Sequence, residues 1–144
     1  MGRLTDFAVE ITNEINRSGI LPAGSKAEFC ALLTRNVEDV KGLDVRVCPH
    51  SESKKLVARR IMGVELTVDV VVQFKLRAEK NERVVAEYGE IADALSHFFD
   101  ERDVGGYRWL NTEYAPYSGE LLEQYRVFAS IVSVKYYGQY RVKT

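Results

Sequence analysis

Residues 64–77 read VELTVDVVVQFKLR. Every even position is apolar: Val64, Leu66, Val68, Val70, Val72, Phe74 and Leu76. The odd positions are polar except for Val71. A period of two over this length predicts a strand with one buried and one wet face. Seven buried side chains at roughly 1.5–3 kcal/mol each give a gross stabilisation on the order of 10–20 kcal/mol, before chain entropy is subtracted. At about 3.3 Å per residue the run spans roughly 45 Å, more than twice a typical strand. Such a strand must either bend or carry one end beyond its own core.

Outward from this stretch, the chain splits into helical and extended segments. Residues 4–17 place Leu4, Phe7, Ala8, Ile11 and Ile15 on one stripe, which predicts a helix whose N-terminus Thr5 or Asp6 can help and which Gly19 can stop. Pro22 and Gly24 mark a turn. Residues 28–34 and 44–48 read as short strands, with Pro49 ending the second because it lacks a ladder donor. Residues 50–60, HSESKKLVARR, are charged and weakly periodic, which predicts a mobile loop leading into the long strand. Residues 78–83 form a polar turn. Residues 84–99 then carry Val84, Val85, Tyr88, Ile91, Ala92, Leu95, Phe98 and Phe99 at helical spacing, with Glu87, Glu90 and Asp93 outside. A break at 103–106 precedes a strand over 107–114, a turn over 115–119 and a second long strand over 126–137. The order α-β-β-β-α-β-β predicts an α+β fold. It is a mostly antiparallel sheet with two helices packed on one face and a long protruding β-hairpin or loop.

The chain has 144 residues, enough for one domain with a real core. Apolar residues make up 46% and charged residues 28%, and net charge is −1, so no bulk attraction to DNA or membrane is implied, although local patches remain open. Apolar runs fall short of the ~20 residues of a membrane span. The first ten residues carry charges where a leader needs an apolar stretch, so no secretion is expected. Cys30 and Cys48 are expected as two buried thiols, with a disulfide as the alternative.

Chemical motifs are sparse. His50, His97, Cys48 and Asp100 supply metal-ligand residue types but without metal-site spacing, so no metal is expected. Ser51 and Ser53 lie near His50 without a nucleophile elbow. Gly105-Gly106 lacks the context of a phosphate loop. No cofactor and no catalytic constellation follow, and no enzyme is expected. Two features point to partners. Lys54, Lys55, Arg59 and Arg60 form a basic cluster, open to a solvated loop, an acidic neighbour or nucleic acid. The C-terminal third is rich in tyrosine, with Trp109, Tyr114 and Tyr117 among rings that a two-layer domain cannot all bury; exposed rings of this kind mark protein interfaces.

The succession of an extended pair with a long loop, a long strand, an amphipathic helix (EIADALSHFF, 90–99), an aromatic strand and turn (YRWLNTEYAP, 107–116) and a closing strand (QYRVFASIVSVKYY, 124–137) resembles the tail-terminator and tail-completion proteins of long-tailed bacteriophages, which also occur as minor capsid or neck proteins. The resemblance spans most of the chain and rests on pattern and size. It implies a single non-enzymatic α+β domain, residues 1–144, that assembles into a hexameric ring. Such a ring sits on the last tail-tube ring, ends tube growth and offers the docking surface for the head connector. Its place is the head–tail junction of a virion assembled in host cytoplasm, with no membrane contact and DNA at most passing through. Lys54, Lys55, Arg59 and Arg60 are then expected to face a neighbour's acidic groups, and Trp109, Tyr114 and Tyr117 to lie near a partner. A head-completion protein on the connector and a small α+β binding module, for instance for nucleic acid, are the alternatives.

Overall fold

In the computed structural model, residues 2–30, 43–75, 82–115 and 127–143 are described. Seven elements follow one another: α1 (Arg3–Ser18), β1 (Ala27–Phe29), β2 (Leu43–Ala58), β3 (Ile61–Lys75), α2 (Glu82–Phe98), β4 (Arg108–Ala115) and β5 (Val127–Arg141). The five strands form one sheet in the order β1-β2-β3-β5-β4, antiparallel except for the β1–β2 pair. This is the expected α+β architecture.

The long strand sits at the centre of the sheet. Val64, Leu66, Val68, Val70, Val72 and Phe74 are all buried and face the helices, and β5 sets Val132, Val134 and Tyr136 beside them. Phe7 of α1 packs on Tyr136 at 5.0 Å between ring centres, and Tyr88 of α2 packs on Phe74 at 4.2 Å. Both helices therefore cover the same face. Helix α1 buries Phe7, Ala8, Ile11 and Ile15, and Gly19 closes it in the left-handed region at φ 78°. The N-cap is Gly2 and no side chain caps it, while Asp6 sits in the first turn, where a carboxylate opposes the helix dipole favourably. Helix α2 buries Ala92, Leu95 and, just past its end, Phe99, and keeps Glu87, Glu90 and Asp93 exposed. The Tyr136 hydroxyl donates to the Arg102 carbonyl at 2.6 Å, fixing the end of α2 over β5.

The largest correction concerns residues 49–60. They are neither a strand end nor a loop. Strand β2 runs through Pro49 to Ala58, paired with β3 from Leu43↔Phe74 to Ala58↔Ile61. Pro49 is tolerated because the ladder shifts register between Pro49 and Ser51. A second register shift falls between Leu56 and Ala58, and Arg59 and Arg60 make the turn, Arg60 at φ 61°. The hairpin pairs within one protomer. Strand β1 is shorter than expected, and residues 31–34 of that expectation lie outside the described residues. So do the polar connection near 37–42, most of the turn at 78–83 and the turn at 116–119.

Candidate interaction surface

The tip is the end of the sheet where three strands outrun β4. Strands β2, β3 and β5 continue together to Ala58, Ile61 and Arg141, whereas β4 ends against Tyr137. Around the far end, Ser53 through Arg60 are all exposed. The backbone N–H of Val142 donates to the Arg60 carbonyl at 2.7 Å and ties the C-terminal strand to the turn. Arg3, at the start of α1, lies 3.9 Å over the Tyr140 ring, and it marks where the helical layer ends.

Two glycines let aromatic rings lie flat against this ribbon. A Cβ on Gly138 would stand 2.5 Å from Cδ1 of Tyr107, so the ring occupies the space a side chain would need. A Cβ on Gly63 would meet the Tyr137 hydroxyl at 2.6 Å and Val57 Cγ1 at 2.9 Å. Rings laid over strand glycines restore the packing and shielding that glycine forfeits. Tyr107 is also held by Phe7, edge to face at 5.1 Å.

The four predicted cations all fall at the tip. Lys54 stands opposite Val64, and Lys55 opposite Gly63, so their side chains leave opposite faces of the ribbon. Arg59 and Arg60 form its end. Only Lys54 has an ion pair among the described residues, with Glu52 at 3.2 Å. The tip also holds residues that sequence reading passed over: Arg141 and Lys143, which the β3–β5 register brings beside the turn, and the exposed apolar Leu56, Val57 and Val142. Leu56 is 61% exposed, high for a leucine in a folded strand. The signal for Leu56 and Val57 was present in the sequence as two apolar residues inside a charged run. Arg141 and Lys143 needed the register to be placed.

The predicted aromatic residues lie elsewhere. Trp109 and Tyr114 belong to β4, on the opposite side of the sheet from β2. Both are half-buried against the core. The Trp109 Nε1–H donates to the Thr112 hydroxyl at 2.9 Å across a β-bulge. Burial pushes the Tyr114 phenol above its ordinary pKa, with a hydrogen bond to Ser130 acting against the shift. They therefore offer only their outer edges to a partner, and the exposed apolar residue of β4 is Leu110. Tyr117 lies outside the described residues. The structure separates the cations and the aromatics into two surfaces rather than joining them in one.

Other polar groups have local partners. His50 Nδ1 lies 2.7 Å from Asp69, whose other oxygen accepts from the Ser133 hydroxyl at 2.6 Å. His97 sits exposed between Asp93 and Asp100 at 3.7 and 3.4 Å. No group of three or more metal-ligating side chains occurs among the described residues. Cys48 is buried and Cys30, one step beyond β1, is half-buried rather than fully so. Their thiols are within hydrogen-bonding reach, and burial pushes the Cys48 thiol up to about 12. An open groove of about 440 Å³ lies between α1 and the 105–107 turn, lined by Arg3, Asp6, Glu10 and Tyr107. No helix among the described residues is long and apolar enough to cross a membrane. No family model matches the chain, and no curated protein matches it.

Proposed function

We propose that the protein is a structural virion component of a long-tailed phage, a ring-forming subunit at the head-proximal end of the tail. In this reading the ring ends tube growth and offers the surface on which the head docks. The observation that carries it is the three-stranded tip, with Leu56 and Val57 exposed and, among the described residues, an ion pair only at Lys54 of its four predicted cations. A solitary globule gains nothing from holding apolar residues in water at the end of a rigid ribbon; an assembling subunit does. A closed ring requires two different, complementary surfaces on each copy. The tip offers one of them. The order of elements and the aromatic C-terminal strands, which resemble tail-terminator proteins, support the same reading.

Size-exclusion chromatography with light scattering, on the chain alone and with its tail-tube partner, tests it. A discrete multimer is expected. A protein that remains monomeric in both conditions contradicts it. The basic tip also favours a second reading, a nucleic-acid-binding module. Salt-dependent retention on DNA by a monomer would favour that reading over ring assembly.

A further inference from the structure

The charges of this chain are segregated. The sequence has twenty Lys and Arg against twenty-one Asp and Glu. Six of those cations, Lys54, Lys55, Arg59, Arg60, Arg141 and Lys143, sit at the tip, where Glu52 is the nearby acid. The rest of the chain is left with fourteen cations against twenty anions. A nearly neutral protein thus has a strongly basic end and an acidic body.

The acidic charge has a definite exposed location on α2. Tyr88, Ile91, Ala92, Leu95 and Phe98 turn toward the sheet. At 100° per residue the opposite face carries Glu87, Glu90 and Asp93, all exposed. Between them stand Ala86 and Ala94, also exposed, and Gly89, around whose missing Cβ the space is open. Neither Glu87 nor Glu90 has an ion pair among the described residues. The surface therefore combines uncompensated carboxylates with a low floor of small residues. The tip has the complementary pattern, with the protruding Leu56 side chain close to cations that have no ion pair among the described residues.

The two surfaces cannot meet within one protomer. Tyr88 of α2 packs on Phe74, thirteen residues along β3 from Ile61 at the tip. At about 3.3 Å per residue that is roughly 40 Å. The contact must therefore be made between copies, and it joins two different patches, the heterologous geometry that closes a ring.

We propose that the β2–β3 tip of each protomer docks on the outward face of α2 of a neighbouring copy, with Leu56 on the small-residue floor and Arg59 and Arg60 against Glu87 and Glu90. This rests on the ring reading above and names the contact that builds the ring. The exposed ends of the cations steer the encounter, and desolvation of Leu56 holds it.

The test uses three full-length variants followed by light scattering: a tip reversal (Arg59→Glu, Arg60→Glu), a helix reversal (Glu87→Lys, Glu90→Lys) and the combination of both. All four positions are exposed, so circular dichroism should report an unchanged fold for each. The wild-type chain is expected to be multimeric. Each single reversal should weaken self-association at least tenfold, by turning attraction into repulsion. The combination should restore the multimer. Mixing the two single reversals should likewise restore a multimer, of alternating composition, because a native tip meets a native α2 at one contact and a reversed tip meets a reversed α2 at the next.

A multimer indifferent to these changes overturns the proposed contact and leaves the ring reading standing. Loss of assembly on single reversal without rescue by the combination overturns it as well. A tip reversal that abolishes retention on DNA while leaving the multimer unchanged assigns the tip to nucleic acid instead. A wild-type chain that is monomeric under all conditions overturns both the contact and the ring reading.

Discussion

Gly138→Ala is a small change with a sign opposite to the usual expectation. Gly138 lies inside β5 opposite Val64, and its backbone is not left-handed, so alanine is sterically permitted there by the backbone. In an ordinary strand interior the change would stabilise by about 0.5–1 kcal/mol through reduced chain entropy. Here the new methyl would stand 2.5 and 2.7 Å from Cδ1 and Cε1 of Tyr107. Those are ring atoms near the rigid base of the side chain, and the ring is held from its other side by Phe7 at 5.1 Å. Tyr107 must swing out. Overpacking costs about 1–3 kcal/mol, and the aromatic pair with Phe7 gives up about 0.5–1.5 kcal/mol. Set against the entropy gain, the net is a loss of about 1–3 kcal/mol. For a domain of this size that lowers Tm by roughly 3–10 °C. Thermal melts and urea titrations measure it. A double-mutant cycle isolates the cause: in a Tyr107→Ala background, Gly138→Ala should be neutral or stabilising. If Gly138→Ala stabilises the intact chain, the packing of Tyr107 over the ribbon described above is wrong. Gly63→Ala is the internal contrast. Its new methyl meets only the hydroxyl end of Tyr137 and a valine methyl at the exposed tip, which can yield, so its effect should stay within about 1 kcal/mol.

Three further outcomes follow from buried or strained groups. Tyr136→Phe removes the hydroxyl that donates to the Arg102 carbonyl, and should cost about 1–2 kcal/mol, read as a lower urea midpoint at unchanged slope. Cys48 keeps its proton up to about 12 in the folded state, against about 9 when unfolded. The unfolded chain therefore releases that proton first, so the Cys48 contribution to stability is full below pH 9 and is lost as pH rises toward 12; a Cys48→Ala chain should show a shallower alkaline decline in urea titrations. Arg60 holds φ 61° at the hairpin turn, a region costly for a residue with a Cβ, so Arg60→Gly should leave the melting temperature unchanged or slightly raised while removing one tip charge.

What the sequence revealed and what it hid have the same physical origin. The central strand was legible because a helical layer lies on one of its faces, and that asymmetry writes a period of two into residues 64–76. Residues 50–58 are equally extended but have water around them at the tip. With no buried face there is nothing to enforce alternation, so HSESKKLVA looks like a loop although β3 pairs with it along its length. Pro49 strengthened that misreading, since its tolerance depends on a register shift invisible in one strand alone. The turn at Arg59 and Arg60 has no glycine or asparagine to announce it. Among the site residues, the four cations were legible as a local run. Their partners at the tip, Arg141 and Lys143, come from the far end of the chain and are brought in by strand register. Trp109 and Tyr114 were legible as strand aromatics, but not the fact that their rings turn inward. Val71 is the other exception to the pattern. It is 4% exposed although it occupies an odd position, on the face away from the helices.

The central claim is that this ribbon belongs to an assembly of identical copies. Its most direct measurement is the mass of the purified chain by light scattering across a concentration series, alone and with the tail-tube protein. The account predicts a discrete particle at a fixed multiple of 16.4 kDa, six for the ring that the resemblance implies, with a ring outline in electron micrographs. A particle that stays at 16.4 kDa across the whole series, with and without the tube protein, contradicts it.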